Sequence, residues 1–233
     1  MTSIAFDNVY DSSTGGCQSV SMFTDIEFEN TVKELENPQI EGWEFFTESN
    51  DVKIYRLYNE ESGLYEYKIY GFLKDVSPKI CADVYMDLEY RKKWDSFAKE
   101  IYETQVVSKK LIYWEINYPF PMWNRDYVFS RELRELKCNS DNVWVVLAKS
   151  TSDSSMPEKS GVIRVDDCVQ NAALMSDGKN GTKAYMKYYD NPKGAIPTWL
   201  INWGAKTGVP QFLSTMENAC KGYPDYLKTH GKE

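Results

Sequence analysis

Residues 197–220 read PTWLINWGAKTGVPQFLSTMENAC. Trp199, Leu200, Trp203, Val209, Phe212, Leu213, Met216 and Cys220 recur there at helical spacing, and Pro197 suits a first helical position. Gly208-Val209-Pro210 sits inside the pattern and should kink the helix, because proline removes a backbone donor and crowds the preceding turn. A helix with one apolar face must bury it against another layer. What precedes it is strand after strand, so the partner is a sheet.

Working backwards, strands are predicted over 101–107, 111–118, 127–133, 143–151, 161–170, 172–176 and 183–189. Pro119-Phe120-Pro121 ends one of them, and Asp177-Gly178-Lys179-Asn180-Gly181 is a hairpin loop with glycine where positive φ is needed. Residues 152–159 form a polar connection. Earlier still, Ser77-Pro78 caps a helix whose buried members are Ile80, Cys81, Val84 and Leu88, with a break or restart around 89–94. Residues 43–47 and 52–58 read as a hairpin turning at Ser49-Asn50-Asp51. A third strand over 64–72 places Tyr65, Tyr67 and Ile69 on one face and Glu66 and Lys68 on the other. Thr24-Asp25-Ile26-Glu27 fits a capping box, and Phe28, Val32 and Leu35 follow on one helical face that ends near Asn37-Pro38.

The order is helix, three strands, helix, about six strands, long helix. Short links between successive strands imply a curved antiparallel sheet, an α+β fold in which the concave side grips the last helix and leaves a cavity. One domain over 24–227 is expected, between a tail over 1–23 and a second tail over 228–233. No repeat or dividing linker is visible.

Composition narrows the partners. Seventeen tyrosines and seven tryptophans exceed the needs of a core, and pairing an apolar body with a polar tip suits a pocket for an amphiphile as well as an aromatic-rich interior. The net charge of −8 and the lack of a Lys/Arg run do not fit nucleic-acid binding or strong attraction to acidic membranes, and leave room for a transient membrane contact through one patch. No stretch approaches the roughly 20 apolar residues of a membrane span, and residues 1–16 lack a signal-peptide pattern. Cys17, Cys81, Cys138, Cys168 and Cys220 are odd in number and widely spread, which points to free thiols and a cytoplasmic setting.

Catalytic chemistry is missing. The only histidine is His230, near the end, which excludes the usual Ser-His-Asp and Cys-His arrangements. Cys/His metal spacings and phosphate-binding glycine loops are also absent, so neither cofactor nor enzyme activity is expected. Asp166-Asp167 are adjacent on a strand pattern, point to opposite faces, and read as solvated residues.

Two groups of residues can bind. In Tyr90-Arg91-Lys92-Lys93-Trp94-Asp95, Arg91 and Asp95 are close enough to pair on a helical turn. The pair is either an exposed one contributing less than about 1 kcal/mol, or an arginine steadied by Asp95 and aimed at a buried anion. Trp114 and Tyr127 lie on strands flanking the 119–126 loop. They are either core rings packed together or two walls of a site for a quaternary ammonium. Trp123 stands in a turn after two prolines, where a core role is hard to arrange and a membrane interface suits it.

The segments Leu64-Tyr65-Glu66-Tyr67-Lys68, Tyr85-Met86-Asp87 with Tyr90-Arg91-Lys92 and Trp94-Asp95, and Tyr113-Trp114-Glu115 resemble the START lipid-transfer domain. So do Tyr118-Pro119-Phe120-Pro121-Met122, Asn124-Arg125-Asp126-Tyr127-Val128 and Ser160-Gly161-Val162-Ile163-Arg164-Val165. The likeness continues through Ser176-Asp177-Gly178-Lys179, Tyr189-Asp190-Asn191-Pro192, Ile196-Pro197, Trp199-Leu200-Ile201-Asn202-Trp203 and Gly208-Val209-Pro210, and spans residues 43–223. The resemblance implies a helix-grip fold holding one phospholipid inside. It places Arg91 at the phosphate with Asp95 orienting it, and Tyr85 and Gln170 near phosphate and glycerol. Trp114, Tyr127 and Ile116 then form a choline cage. The cage's third aromatic falls on Cys168, which leaves the choice between choline and ethanolamine open. Trp123, Trp199, Trp203, Gly208 and Pro210 are candidates for a lid or membrane contact.

The expected activity is therefore transfer of a phospholipid, phosphatidylcholine first, between membranes. The rivals are a START-type binder or sensor of phosphatidylethanolamine, sterol or ceramide that regulates a partner, and a helix-grip enzyme. Two acyl chains hold roughly 30 methylenes at about 0.8 kcal/mol each, or about 24 kcal/mol of burial to replace, so the site must close around its lipid.

Overall fold

The computed structural model describes residues 21–49, 51–106, 109–194, 196–197, 199–200 and 204–231. The elements run α1 (Asp25–Glu36), β1 (Glu44–Ser49), β2 (Val52–Asn59), β3 (Leu64–Leu73), α2 (Pro78–Met86), α3 (Leu88–Trp94), β4 (Ala98–Val106), β5 (Lys109–Ile116), β6 (Asn124–Cys138), β7 (Asp141–Ser150), β8 (Val162–Val165), β9 (Cys168–Ser176) and β10 (Thr182–Asp190). A π-turn (Gly204–Gly208) then leads into α4 (Val209–His230).

The strands form one sheet in the order β1-β2-β3-β10-β9-β7-β6-β5-β4. Each neighbouring pair on that path is antiparallel. The passage α2–α3 carries the chain from β3 in the middle to β4 at the far edge. One pairing departs from the expected antiparallel pattern: β8 lies parallel to β6. Its cause is length. β7 pairs with β6 from Phe129 to Cys138 and leaves the 124–127 end without a partner on that edge, opposite β5, and β8 fills the gap.

Strand alternation sends successive residues to opposite faces, and the two faces bury different helices. Val145, Leu147 and Ala173 pack with Phe28, Val32 and Leu35 of α1. Val146, Ala172 and Leu174 pack with Cys81, Val84 and Tyr85 of α2 and Met216, Ala219, Cys220 and Tyr223 of α4. Thr24 caps α1 as expected: its side chain accepts from Glu27 N, and the Glu27 carboxylate accepts from Thr24 N at 2.7 Å. The α1 face also claims Lys68, which pairs with Glu34 at 2.8 Å and lies 4.7 Å from the Trp43 ring centre. Ser77 caps α2 with Pro78 at the first helical position.

At the Gly208–Pro210 position where a kink is expected, the structure has the π-turn passing directly into α4: Gly208 has helical angles (φ −62°, ψ −50°), and Pro210 lies in the first turn of α4. The helix also runs past the boundary read at residue 228. It continues through His230 and is capped by Gly231 in the left-handed conformation (φ 60°). Contacts with α3 and within α4 hold this end: the His230 ring packs on Tyr226 at 4.2 Å, and Lys93 Nζ lies 4.6 Å from the centre of the same tyrosine ring and 2.8 Å from His230 Nε2. Cys81, Cys138, Cys168 and Cys220 are free thiols. Cys17 and Trp203 lie outside the described residues. No helix among the described residues is long and apolar enough to cross a membrane.

Candidate functional site

A cavity of about 440 Å³ opens between the α4 side of the sheet and the start of α4. Ligand pockets run about 300–1,000 Å³, so this one is of ligand-binding size. Arg91, Asp95, Tyr85, Trp114, Ile116, Tyr127, Cys168 and Gln170 all line it. Gly204, Gly208, Val209 and Phe212 close it from the π-turn and α4. Ile69, Tyr85, Met186 and Phe212 are shared with an adjoining apolar compartment that continues past Leu73, Val146, Leu174 and Met216.

Arg91 owes its place to two short helices. The Asp87 side chain caps α3 by accepting from Tyr90 N at 2.8 Å. Asp95 ends α3, where its Oδ1 accepts from Phe97 N at 3.0 Å and its Oδ2 from Arg91 Nε at 2.8 Å. The exposed alternative for this pair does not hold, since the two side chains are 6% and 4% exposed. Four rings surround the guanidinium, with centres at 4.5 Å (Trp94), 4.6 Å (Trp114), 4.9 Å (Phe212) and 5.8 Å (Tyr85). Its Nη1 is buried and has no partner among the described residues. A buried ion pair is weak evidence for stability, and the unpartnered donor points to a ligand.

Helix α4 is tied to this corner by hydrogen bonds. Tyr90 OH donates to Ala219 O at 2.9 Å, and Tyr223 OH donates to Asp87 Oδ2 at 3.1 Å. Movement of α4 therefore acts on the helix that carries Arg91.

Trp114 and Tyr127 are register partners on β5 and β6. Instead of stacking on Tyr127, Trp114 tilts toward Phe129 at 6.3 Å and covers Arg91. Tyr127 OH donates to Asp190 Oδ2 at 2.9 Å. Burial raises the Asp190 pKa, opposed by hydrogen bonds from Tyr188 and Tyr127. Burial also pushes the Cys168 thiol up to about 12, with Asp190 and Asp167 adding to the rise, so it is a neutral, unreactive wall at physiological pH. Gln170 Nε2 donates to Met186 Sδ at 3.2 Å.

Sequence reasoning missed two residues here. Tyr188 lines the same cavity, and β10 sets it opposite Gln170 with Asp190 opposite Cys168. Its ring therefore stands on the wall where the resemblance finds no aromatic. Arg131 of β6 also lines the cavity. In the sequence it is one charge among several in Arg131-Glu132-Leu133-Arg134-Glu135, and only the register of β6 turns it inward.

The lid candidates divide. Gly208 lines the cavity, whereas Trp123 and Trp199 are 61% and 60% exposed, and Phe120, three residues before Trp123, is 96% exposed. Arg125 staples two of these loops together: it donates to Trp123 O (2.7 Å), Pro192 O (3.0 Å) and Lys193 O (3.0 Å).

Known proteins share both sequence and fold. The START domain profile matches residues 29–225. The chain is 49% identical over 203 residues to phosphatidylcholine transfer protein of Bos taurus, covering 86% of this chain and 95% of that protein. It is 48% identical to the protein of the same name from Homo sapiens over the same length. The crystal structure of human STARD10 superposes with a TM-score of 0.78 at 23% identity, covering 92% of this chain and 86% of that one. On the family profile, the identity to these relatives and the shared helix-grip architecture, the chain belongs to the START domain family.

Proposed function

We propose that the chain binds one phospholipid, phosphatidylcholine first, inside this cavity and carries it between membranes. The observation that carries the reading is the meeting of a buried, part-unpartnered Arg91 and several aromatic walls in one cavity. Further support comes from the high identity to proteins named for phosphatidylcholine transfer. Arg91 takes the phosphate with a guanidinium fork, and Asp95 fixes the fork's direction. Tyr85 and Gln170 offer polar atoms near phosphate and glycerol. Trp114, Tyr127, Ile116 and Tyr188 surround the headgroup nitrogen, with Cys168 as a small wall. The apolar compartment beyond Phe212 receives acyl chain. The reading is one of binding and carriage, in keeping with a START domain profile and relatives named as transfer proteins. Transfer of a fluorescent phosphatidylcholine from donor to acceptor vesicles tests it. Catalysed transfer supports the reading; no transfer, or transfer of sterol alone, overturns it.

The membrane step falls to Phe120, Trp123 and Trp199, whose exposed rings suit a bilayer interface. Replacing Phe120 and Trp123 together with serine should lower vesicle binding and transfer rate by about tenfold or more. The amount of lipid held per protein should not change. Unchanged transfer would return both rings to a local packing role.

A further inference from the structure

Four buried side-chain polar atoms have no hydrogen-bond partner among the described residues: Arg91 Nη1, Arg131 Nε, Trp94 Nε1 and Trp114 Nε1. All four are N–H donors. Three of them belong to residues that line the one cavity. Unpartnered buried donors without matching orphan acceptors mark a place for an acceptor-rich group.

Charge sharpens the point. The guanidinium carbons of Arg91 and Arg131 lie 5.8 and 5.5 Å from the centre of the same Tyr85 ring. Asp95 already balances Arg91. No carboxylate among the described residues is within salt-bridge distance of Arg131; Glu103, which acts on it only weakly, is exposed and pairs with Lys110. Arg131 is held by backbone alone, donating to Tyr85 O and Met86 O at 2.9 Å each at the C-terminal end of α2. Burial, with Arg91 adding to it, pulls its pKa down to about 10, which leaves it charged at neutral pH. Arg131 is thus a buried positive charge facing the cavity with no counter-ion among the described residues, whereas Lys149, which also lines the cavity, is exposed to solvent; a buried charge of this kind is costly unless an anion joins it.

We propose that Arg131 is a second phosphate-binding residue, and that Arg91 and Arg131 clasp the phosphodiester of the lipid from two sides of Tyr85. Arg91, neutralised by Asp95, supplies geometry. Arg131 supplies the net charge that favours lipids with a phosphodiester over lipids of the same chains without one. This rests on the phospholipid reading above and adds the group that sets its substrate class.

A loading competition tests it. Wild type, Arg131→Met and Arg131→Lys are incubated with vesicles holding equal phosphatidylcholine and diacylglycerol of matched chains, and the lipids extracted from each protein are quantified. Wild type should hold phosphatidylcholine in large excess. Arg131→Met should lower the phosphatidylcholine-to-diacylglycerol ratio by about tenfold or more, and Arg131→Lys should recover part of it. A purely structural role at the end of α2 would lower total lipid at an unchanged ratio, and that result overturns the proposal. So does an unchanged ratio at full loading. Wild-type protein that takes up neither lipid would instead sink the phospholipid reading itself.

Discussion

Arg91→Ala should reduce phosphatidylcholine transfer by roughly a hundredfold or more. The phosphate would enter a buried corner stripped of its fork, and removing one partner of a buried, hydrogen-bonded charge pair costs about 3–5 kcal/mol. The same change strands Asp95, which is as buried as Arg91, so the lipid-free protein should also melt earlier. Arg91→Leu with Asp95→Asn separates the two effects. The neutral pair should recover most of the lost thermal stability while transfer stays lost. The amide oxygen that replaces the Asp95 carboxylate can still accept from Phe97 N, so the end of α3 survives. Near-normal transfer by either variant would remove Arg91 from the headgroup site.

Tyr188→Leu should narrow the preference for phosphatidylcholine over phosphatidylethanolamine by about five- to thirtyfold in a competition loading assay. A trimethylammonium group has no N–H to donate and depends on aromatic faces, each worth about 1–2 kcal/mol when desolvated. Cys168 presents no such face. Tyr188, beside it on β10, does, and the Asp190 carboxylate accepts from the Tyr127 hydroxyl at 2.9 Å, which fixes that second ring. Cys168→Tyr should then sharpen selectivity by less than Tyr188→Leu blunts it. The reverse ranking would make position 168 the wall that governs the headgroup, and would leave ethanolamine as a natural ligand.

The sheet was legible because alternation and turn chemistry are local. The capping box at Thr24, the proline after Ser77 and the glycine loop at 177–181 each signal an element end without reference to the rest of the chain. The Arg91–Asp95 pair was legible as a pair, since spacing on one helical turn decides it. Its burial was not, because that depends on rings from α3, β5 and α4 arriving together. The same holds for Lys68. Period two sets it opposite Tyr67, as expected, but only α1 packing over that face buries it against Glu34. Tyr188 and Arg131 were hidden for a further reason. Each becomes part of the site through strand register between segments far apart in sequence. The parallel β8 pairing likewise follows from β7 being shorter than β6, which no local pattern records.

We propose that helix α4 is the part that moves to admit the lipid. Its Phe212 covers Arg91 and lines both the Arg91 cavity and the apolar compartment, and Tyr90 and Tyr223 bind α4 to α3. The π-turn before Pro210 would serve as the hinge, since its wider hydrogen-bond pattern leaves backbone groups less firmly held.

Native mass spectrometry of the protein after incubation with mixed phospholipid and sterol vesicles bears most directly on the central claim. One phospholipid per monomer, predominantly phosphatidylcholine, is the predicted spectrum. A sterol adduct, several lipids per chain, or bare protein alone would contradict it.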